Sequence, residues 1–217
     1  MTEPSLITYP ARPVNGGRLE NAPPKVGPWI CQPKIKDWRA IVHTPTKRIW
    51  NRHGKPMSIE KDLDIALSIL SGCPFEWLDV GVLERQNQLL RGTIIVFDWI
   101  PTPNDILAGP HGFLYQGRRD ALFNQLEEMT LATNMLATRR SIPKVLLVQD
   151  FTSTPPIEIY ERLQQENRKL GGNSMDATDM KNFYEGIVCK RTDKPYPVQL
   201  LSPNKETPWM IKHRFDQ

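Results

Sequence analysis

Regular alternation of apolar and polar positions begins near Trp29. The run WICQPKIKDWRAIVHT, which starts there, and the run KRIWNRHGKP, which starts at Lys47, carry β-branched and aromatic residues on alternate positions, the pattern of strands with one buried face. A turn at Pro45 separates them, so an antiparallel hairpin is expected. The period then lengthens. Ile59, Leu63, Leu67 and Leu70 recur at near-helical spacing behind Ser58 and stop at Gly72, which predicts one amphipathic helix. FEWLDVGVLE and RGTIIVFDWI return to strand composition, and a Pro/Gly-rich loop from Pro101 to Gly117 breaks any regular element. A long helix is expected from about Arg118 to Thr138, a strand over KVLLVQDF, and a further helix from Pro156 to Leu170. GGNSMDATD is turn chemistry, and NFYEGIVCKRT, PVQLLS and WMIKHRF again alternate like strands.

Strands and helices in this order form no regular βαβ repeat, which argues for an α+β fold with antiparallel sheets flanked by helices. Residues 1–28 are rich in proline and glycine and show little periodicity, so they read as an extended arm that packs loosely, if at all, before a single domain spanning residues 29–217. A length of 217 residues suits one compact unit.

Composition narrows the picture only slightly. With 39% hydrophobic and 24% charged residues, the chain has enough apolar material to fold. The net charge of +4 is compatible with a phosphate-rich partner but does not require one. Cys31, Cys73 and Cys189 are odd in number and widely spaced, which fits neither a disulfide framework nor a paired-cysteine metal site and points to a reducing compartment. His43, His53, His111 and His213 lack metal-ligand spacing. The N-terminus lacks a basic stretch followed by an apolar core, and the longest apolar runs are far too short for a bilayer, so a soluble, cytoplasmic protein with no membrane partner is expected, in a cell or a virus-infected one.

The chemistry lies in six short segments. In order they are Gln32-Pro33-Lys34-Ile35-Lys36-Asp37-Trp38-Arg39, Asn51-Arg52-His53-Gly54, Leu78-Asp79-Val80-Gly81, Val96-Phe97-Asp98, Tyr184-Glu185-Gly186-Ile187-Val188-Cys189-Lys190, and Trp209-Met210-Ile211-Lys212-His213-Arg214. Their order and spacing resemble motifs I, Ia, III, IIIa, IV and V of the covalent nucleotidyltransferase superfamily, which contains DNA ligases, RNA ligases and mRNA capping enzymes. The likeness runs from Trp29 to Arg214 and implies a nucleotidyltransferase (adenylation) domain of ATP-grasp-like fold.

The resemblance also implies roles. Lys34 stands where the family has the lysine that attacks the α-phosphate of ATP, a reaction that needs the amine unprotonated and the phosphate charge neutralised. Glu185 would supply the carboxylate for Mg2+, Lys212 and Arg214 would contact the phosphates, and Arg39 and Arg52 would grip nucleotide and the 5′-phosphate of the strand with guanidinium forks. Gln32 would read the adenine edge, since an amide can accept from N6–H and donate to N1. Phe97 would stack on the purine, although core packing in a strand explains it equally well. Trp38 and Trp209 read as core. Arg118 and Arg119 match an arginine-rich helix start common in ligases, and a solvated helix face explains them as well.

The chain departs from the pattern in two motifs. Ligases usually have Lys-x-Asp-Gly-x-Arg, whereas Lys36 and Asp37 stand here at the Asp and Gly positions. Asp37 could restore the carboxylate only through a backbone adjustment, because adjacent strand residues face opposite ways. The family's Asp-Gly-Glu becomes Asp79-Val80-Gly81, so the ribose-binding glutamate is missing unless Glu84 substitutes. Three residues follow Arg214, so no OB domain is expected within this sequence, which a separate OB-type subunit could supply and a truncation could explain. The implied activity is ATP-dependent DNA ligation: self-adenylylation of Lys34, AMP transfer to a 5′-phosphate, and joining to a 3′-hydroxyl in nicked DNA. RNA ligation is the next reading, and a non-catalytic nucleotide- or nucleic-acid-binding relative the third.

Overall fold

The computed structural model describes residues 5–19, 28–58, 61–83, 91–102, 104–105, 114–136, 144–172, 182–198 and 202–215. In chain order its elements are β1 (Arg12–Asn15), β2 (Trp29–Ile35), β3 (Trp38–His43), β4 (Arg48–Asn51), α1 (Lys61–Leu70), β5 (Trp77–Leu83), β6 (Thr93–Trp99), α2 (Tyr115–Leu136), β7 (Val145–Leu147), α3 (Pro156–Gly172), β8 (Tyr184–Arg191) and β9 (Glu206–Arg214). Two sheets result, with orders β1-β9-β8-β2 and β4-β3-β5-β6-β7. All pairings are antiparallel except β1 with β9 and β6 with β7. This is the expected α+β architecture of sheets flanked by helices.

The first long alternating run is not one strand. It bends at Lys36 and Asp37, which sends β2 into the first sheet and β3 into the second. The expected hairpin forms between β3 and β4, with His43 opposite Arg48 across the turn of residues 44–47. Helix α1 buries Leu63, Leu67 and Leu70 against Val42, Val80 and Val96 of the second sheet, and Leu122 and Leu126 of α2 join the same core. Strands β5 and β6 are covered on both faces, so every residue in them is buried. Helix α3 seals the first sheet, with Ile159 and Leu163 against Cys31, Ile187 and Cys189. A third cluster, including Ile41, Trp50 and Trp77 with Val188 and Met210, ties the two sheets together.

The N-terminal arm is more than a loose extension. Residues 12–15 form an edge strand parallel to β9, Ala11 and Leu19 are buried, and the Ala11 amide donates to the Tyr196 hydroxyl at 3.1 Å. Pro13 is tolerated because an edge strand can leave one side of its ladder unpaired. Helix α2 begins at Tyr115, inside the expected loop, and of KVLLVQDF only Val145–Leu147 joins a strand. Pro197 and Val198 of PVQLLS are not in a strand. Glu84, residues 173–179 of the expected turn, and residues 137–138 of the expected helix lie outside the described residues.

Candidate active site

A cleft of about 760 Å³ opens between the sheets, and Gln32, Lys34, Arg39, Arg52, Phe97, Glu185, Lys212 and Arg214 all line it. One wall is the face of the first sheet. Register sets Gln32 beside Val188 and Lys212, and Lys34 beside Gly186 and Arg214, so these positions share one side of three adjacent strands.

Glu185 reaches the same side through a bulge. Lys34 pairs with Gly186 and Ile35 with Tyr184, which leaves Glu185 as the extra residue of β8. A bulge re-aims the side chain it carries. Gly186 permits it, with φ of 141° and no room for a side-chain carbon against the His213 carbonyl. The Glu185 carboxylate consequently accepts a hydrogen bond from the Lys34 amine.

The opposite wall comes from the second sheet. Phe97 is likewise the unpaired residue of a register shift in β6, where Asp79 pairs with Asp98 and Val80 with Val96. Its ring is buried with Ile35, Leu83, Ile95 and Val148, yet the residue also lines the cleft, so the core and ligand readings both describe it. The Arg39 guanidinium lies 4.3 Å from the centre of that ring and donates to both Asp79 oxygens, at 2.5 and 2.7 Å. Burial disfavours its charge, but Asp79 more than offsets this and pushes its pKa up. Tyr196 also donates to Asp79, at 2.7 Å.

Asp37 also lines the cleft, whereas Lys36 is absent from its lining. The bend between β2 and β3 is the backbone adjustment that turns Asp37 inward. Its Oδ2 is buried without a hydrogen-bond partner. Burial raises this carboxyl from 3.8 to about 6, against the opposing pull of Arg39 and Lys34.

Cations gather at the mouth. Arg52 and Arg214 are exposed there, and burial followed by the neighbouring charges of Arg214 and Arg12 pushes the Lys212 ammonium pKa down, with Glu206 opposing. A cluster of like charges that depresses one of its own members attracts anions.

Sequence reasoning quoted Lys190 within a motif but gave it no role. It lines the cleft, lies 5.0 Å from the centre of the Tyr115 ring, and burial lowers its pKa to about 8, with Asp98 opposing. Arg118 and Arg119 are not a solvated helix face. Arg118 is buried and bonds both Asp98 oxygens at 2.9 Å, and Arg119 bridges to Asp150 at 2.8 Å. Trp38 is 37% exposed rather than core, while Trp209 packs against the cluster between the sheets. Tyr115 and Asp150, which bond to Gln32, carried no sequence signal.

No protein-family model matches the sequence, and no curated protein sequence matches it either. Solved structures do. A Lig E DNA ligase matches at 12% identity with a TM-score of 0.54, covering 94% of this chain and 68% of that one. The ligase domain of LigD from M. tuberculosis matches at 17% identity and a TM-score of 0.57, covering 95% of this chain and 59% of that one. Chlorella virus DNA ligase-adenylate matches at 15% identity and 0.53, covering 95% and 69%. At these identities the likeness establishes the fold, that of a ligase nucleotidyltransferase domain. No helix among the described residues is long and apolar enough to cross a membrane.

Proposed function

We propose that the chain is an ATP-dependent polynucleotide ligase that adenylylates itself on Lys34 and joins nicked DNA. The observation that carries this reading is the pairing of a cleft-lining lysine amine with Glu185, in a cleft that the cations Lys212 and Arg214 and the aromatic Phe97 also line. Lys34 sheds a proton to water and its nitrogen attacks the α-phosphorus. An N–P bond forms, the bridging P–O bond breaks, and pyrophosphate departs along the cationic mouth. An oxygen of a strand's 5′-phosphate then displaces Lys34 from the AMP, and a 3′-hydroxyl attacks that 5′-phosphate, releasing AMP. Arg52 and Arg214, exposed at the rim, are the groups for the polynucleotide phosphates.

Among the described residues no three His, Cys, Asp or Glu groups converge on one point. The described residues therefore offer no all-protein cage for a metal. Mg2+ takes one or two carboxylates, substrate phosphates and waters, and Glu185 beside a phosphate-seeking cluster suits it. When bound, Mg2+ neutralises charge on the phosphates.

The test is incubation with α-labelled ATP or GTP and Mg2+, followed by denaturing electrophoresis. A labelled protein band with ATP is expected; no band with either nucleotide would sink the reading. Nicked DNA and nicked RNA duplexes, added to the labelled protein, separate the two ligase readings.

A further inference from the structure

Gln32 is a buried amide of the cleft whose hydrogen-bond partners fix which of its ends is free. Its Nε2 donates to Asp150 Oδ1 at 2.7 Å and to the Tyr115 hydroxyl at 2.7 Å. The Tyr115 hydroxyl in turn donates to Asp150, at 3.0 Å to Oδ2, and Arg119 pairs with the same oxygen at 2.8 Å. An ionised carboxylate has no hydrogen to give, so the amide end facing Asp150 must be the nitrogen. Burial, reinforced by the charges of Asp150 and Asp98, pushes the Tyr115 pKa well up, so this hydroxyl keeps the proton that it gives to Asp150. Both amide hydrogens of Gln32 are thereby consumed. The carbonyl oxygen Oε1 is left as the end the side chain offers to the cleft it lines.

We propose that Tyr115 and Asp150 are positioning residues that lock Gln32 as a pure acceptor, making the cleft selective for a purine bearing a 6-amino group. This rests on the nucleotidyltransferase reading and deepens it. An amide free to rotate could serve either base: its oxygen suits the 6-amino group of adenine and its nitrogen suits the 6-oxo group of guanine. A locked amide cannot. With guanine in the same pose, two acceptor oxygens face each other in a buried site, and neither finds a donor. Selectivity is then set by residues outside the first contact with the base, on α2 and on the segment after β7.

The experiment measures kcat/KM for adduct formation on Lys34 with ATP, GTP and purine riboside 5′-triphosphate, which lacks the 6-amino group. The unaltered chain should prefer ATP to either by on the order of 100-fold, the rejection given by a site built to pair with a group that is missing or reversed. Asp150→Asn supplies its own amide hydrogens, which releases Gln32 to turn, and the ATP to GTP ratio should fall about tenfold or more. Gln32→Met keeps the shape and removes the amide, so ATP and purine riboside 5′-triphosphate should become nearly equal substrates even if Asp150→Asn folds poorly. An unaltered ATP to GTP ratio in a folded Asp150→Asn, or an unaltered ATP advantage in Gln32→Met, overturns the lock while leaving the nucleotidyltransferase reading standing. No adduct from any of the three nucleotides with the unaltered chain overturns both.

Discussion

Asp37 and Gly81 share one space. The carboxyl carbon of Asp37 and Cε2 of Phe97 each lie 2.8 Å from the point where a side chain on Gly81 would begin. The ligase pattern that these motifs resemble has glycine at the position of Asp37 and glutamate at that of Gly81, so here the acid stands where that pattern has the glycine and the glycine where it has the acid. The bend after β2 carries the acid, and β5 makes room for it. Gly81→Ala should therefore cost about 1–3 kcal/mol by overpacking. In an Asp37→Ala background the cost should shrink without vanishing, because the Phe97 ring remains. Urea midpoints of the four proteins in this cycle give the coupling, and strict additivity would refute the shared space.

Asp37 also predicts a pH dependence. Its carboxyl titrates near 3.8 when unfolded and at about 6 when folded. Between these values the folded state holds more protons than the unfolded state, so this group makes stability fall as pH rises from about 4 to 6 and leaves it level above. Asp37→Asn removes the effect. Its melting temperature should exceed that of the unaltered chain at pH 7, and the gap should close as pH falls towards 4. A gap of the same size at both pH values would show that Asp37 is not the titrating group.

Lys34 and Lys36 stand two positions apart in sequence but in different surroundings in space. Lys34 pairs with Glu185 in the cleft, and Lys36 is absent from its lining. Lys34→Ala should abolish the covalent AMP adduct, and Lys36→Ala should leave it measurable. Labelled ATP and denaturing electrophoresis decide the matter: a dead Lys36→Ala beside a normally labelled Lys34→Ala would reverse the assignment.

Sheet and helix content was legible because the apolar period of α1 matches its burial, as Leu63, Leu67 and Leu70 show, and because the apolar, β-branched composition of β5 and β6 suits strands covered on both faces. The residues named from the motifs all line the cleft, and register across β2, β8 and β9 sets Gln32, Lys34, Lys212 and Arg214 on one shared face. Long-range relations were not legible. Strand β1 is too short for periodicity and carries proline, Arg118 reads as a surface residue until Asp98 is set opposite it, and Tyr115 and Asp150 meet Gln32 only through the fold. The two bulges that aim Glu185 and Phe97 into the cleft leave no mark on an alternation pattern apart from Gly186.

Neighbouring residues in β8 should respond in opposite ways. Glu185 is about one-third exposed and serves the cleft, so Glu185→Ala should cripple adduct formation and leave the circular dichroism spectrum and melting temperature near those of the unaltered chain. Gly186 holds a positive φ with the His213 carbonyl against it, so Gly186→Ala should destabilise the domain by about 3 kcal/mol or more. Unfolding by Glu185→Ala would make Glu185 structural and remove its proposed role.

Polynucleotide affinity should depend steeply on salt. Of the cations lining the cleft, Arg39 is engaged with Asp79, whereas Arg52 and Arg214 are exposed at the rim with Lys212 behind them. A surface with so few phosphate contacts holds a nick weakly, and each contact adds roughly one unit to the slope of log affinity against log salt. Self-adenylylation draws instead on the half-buried groups inside the cleft, where charges are screened less. Sealing of a pre-adenylylated nick should thus be detectable at low salt and fade sharply towards physiological salt, while adduct formation on Lys34 fades less. Arg52→Ala and Arg214→Ala should each lower the slope for nick binding by about one unit. Tight nick binding that is nearly independent of salt would defeat this account, and would locate the polynucleotide on a surface other than the cationic mouth.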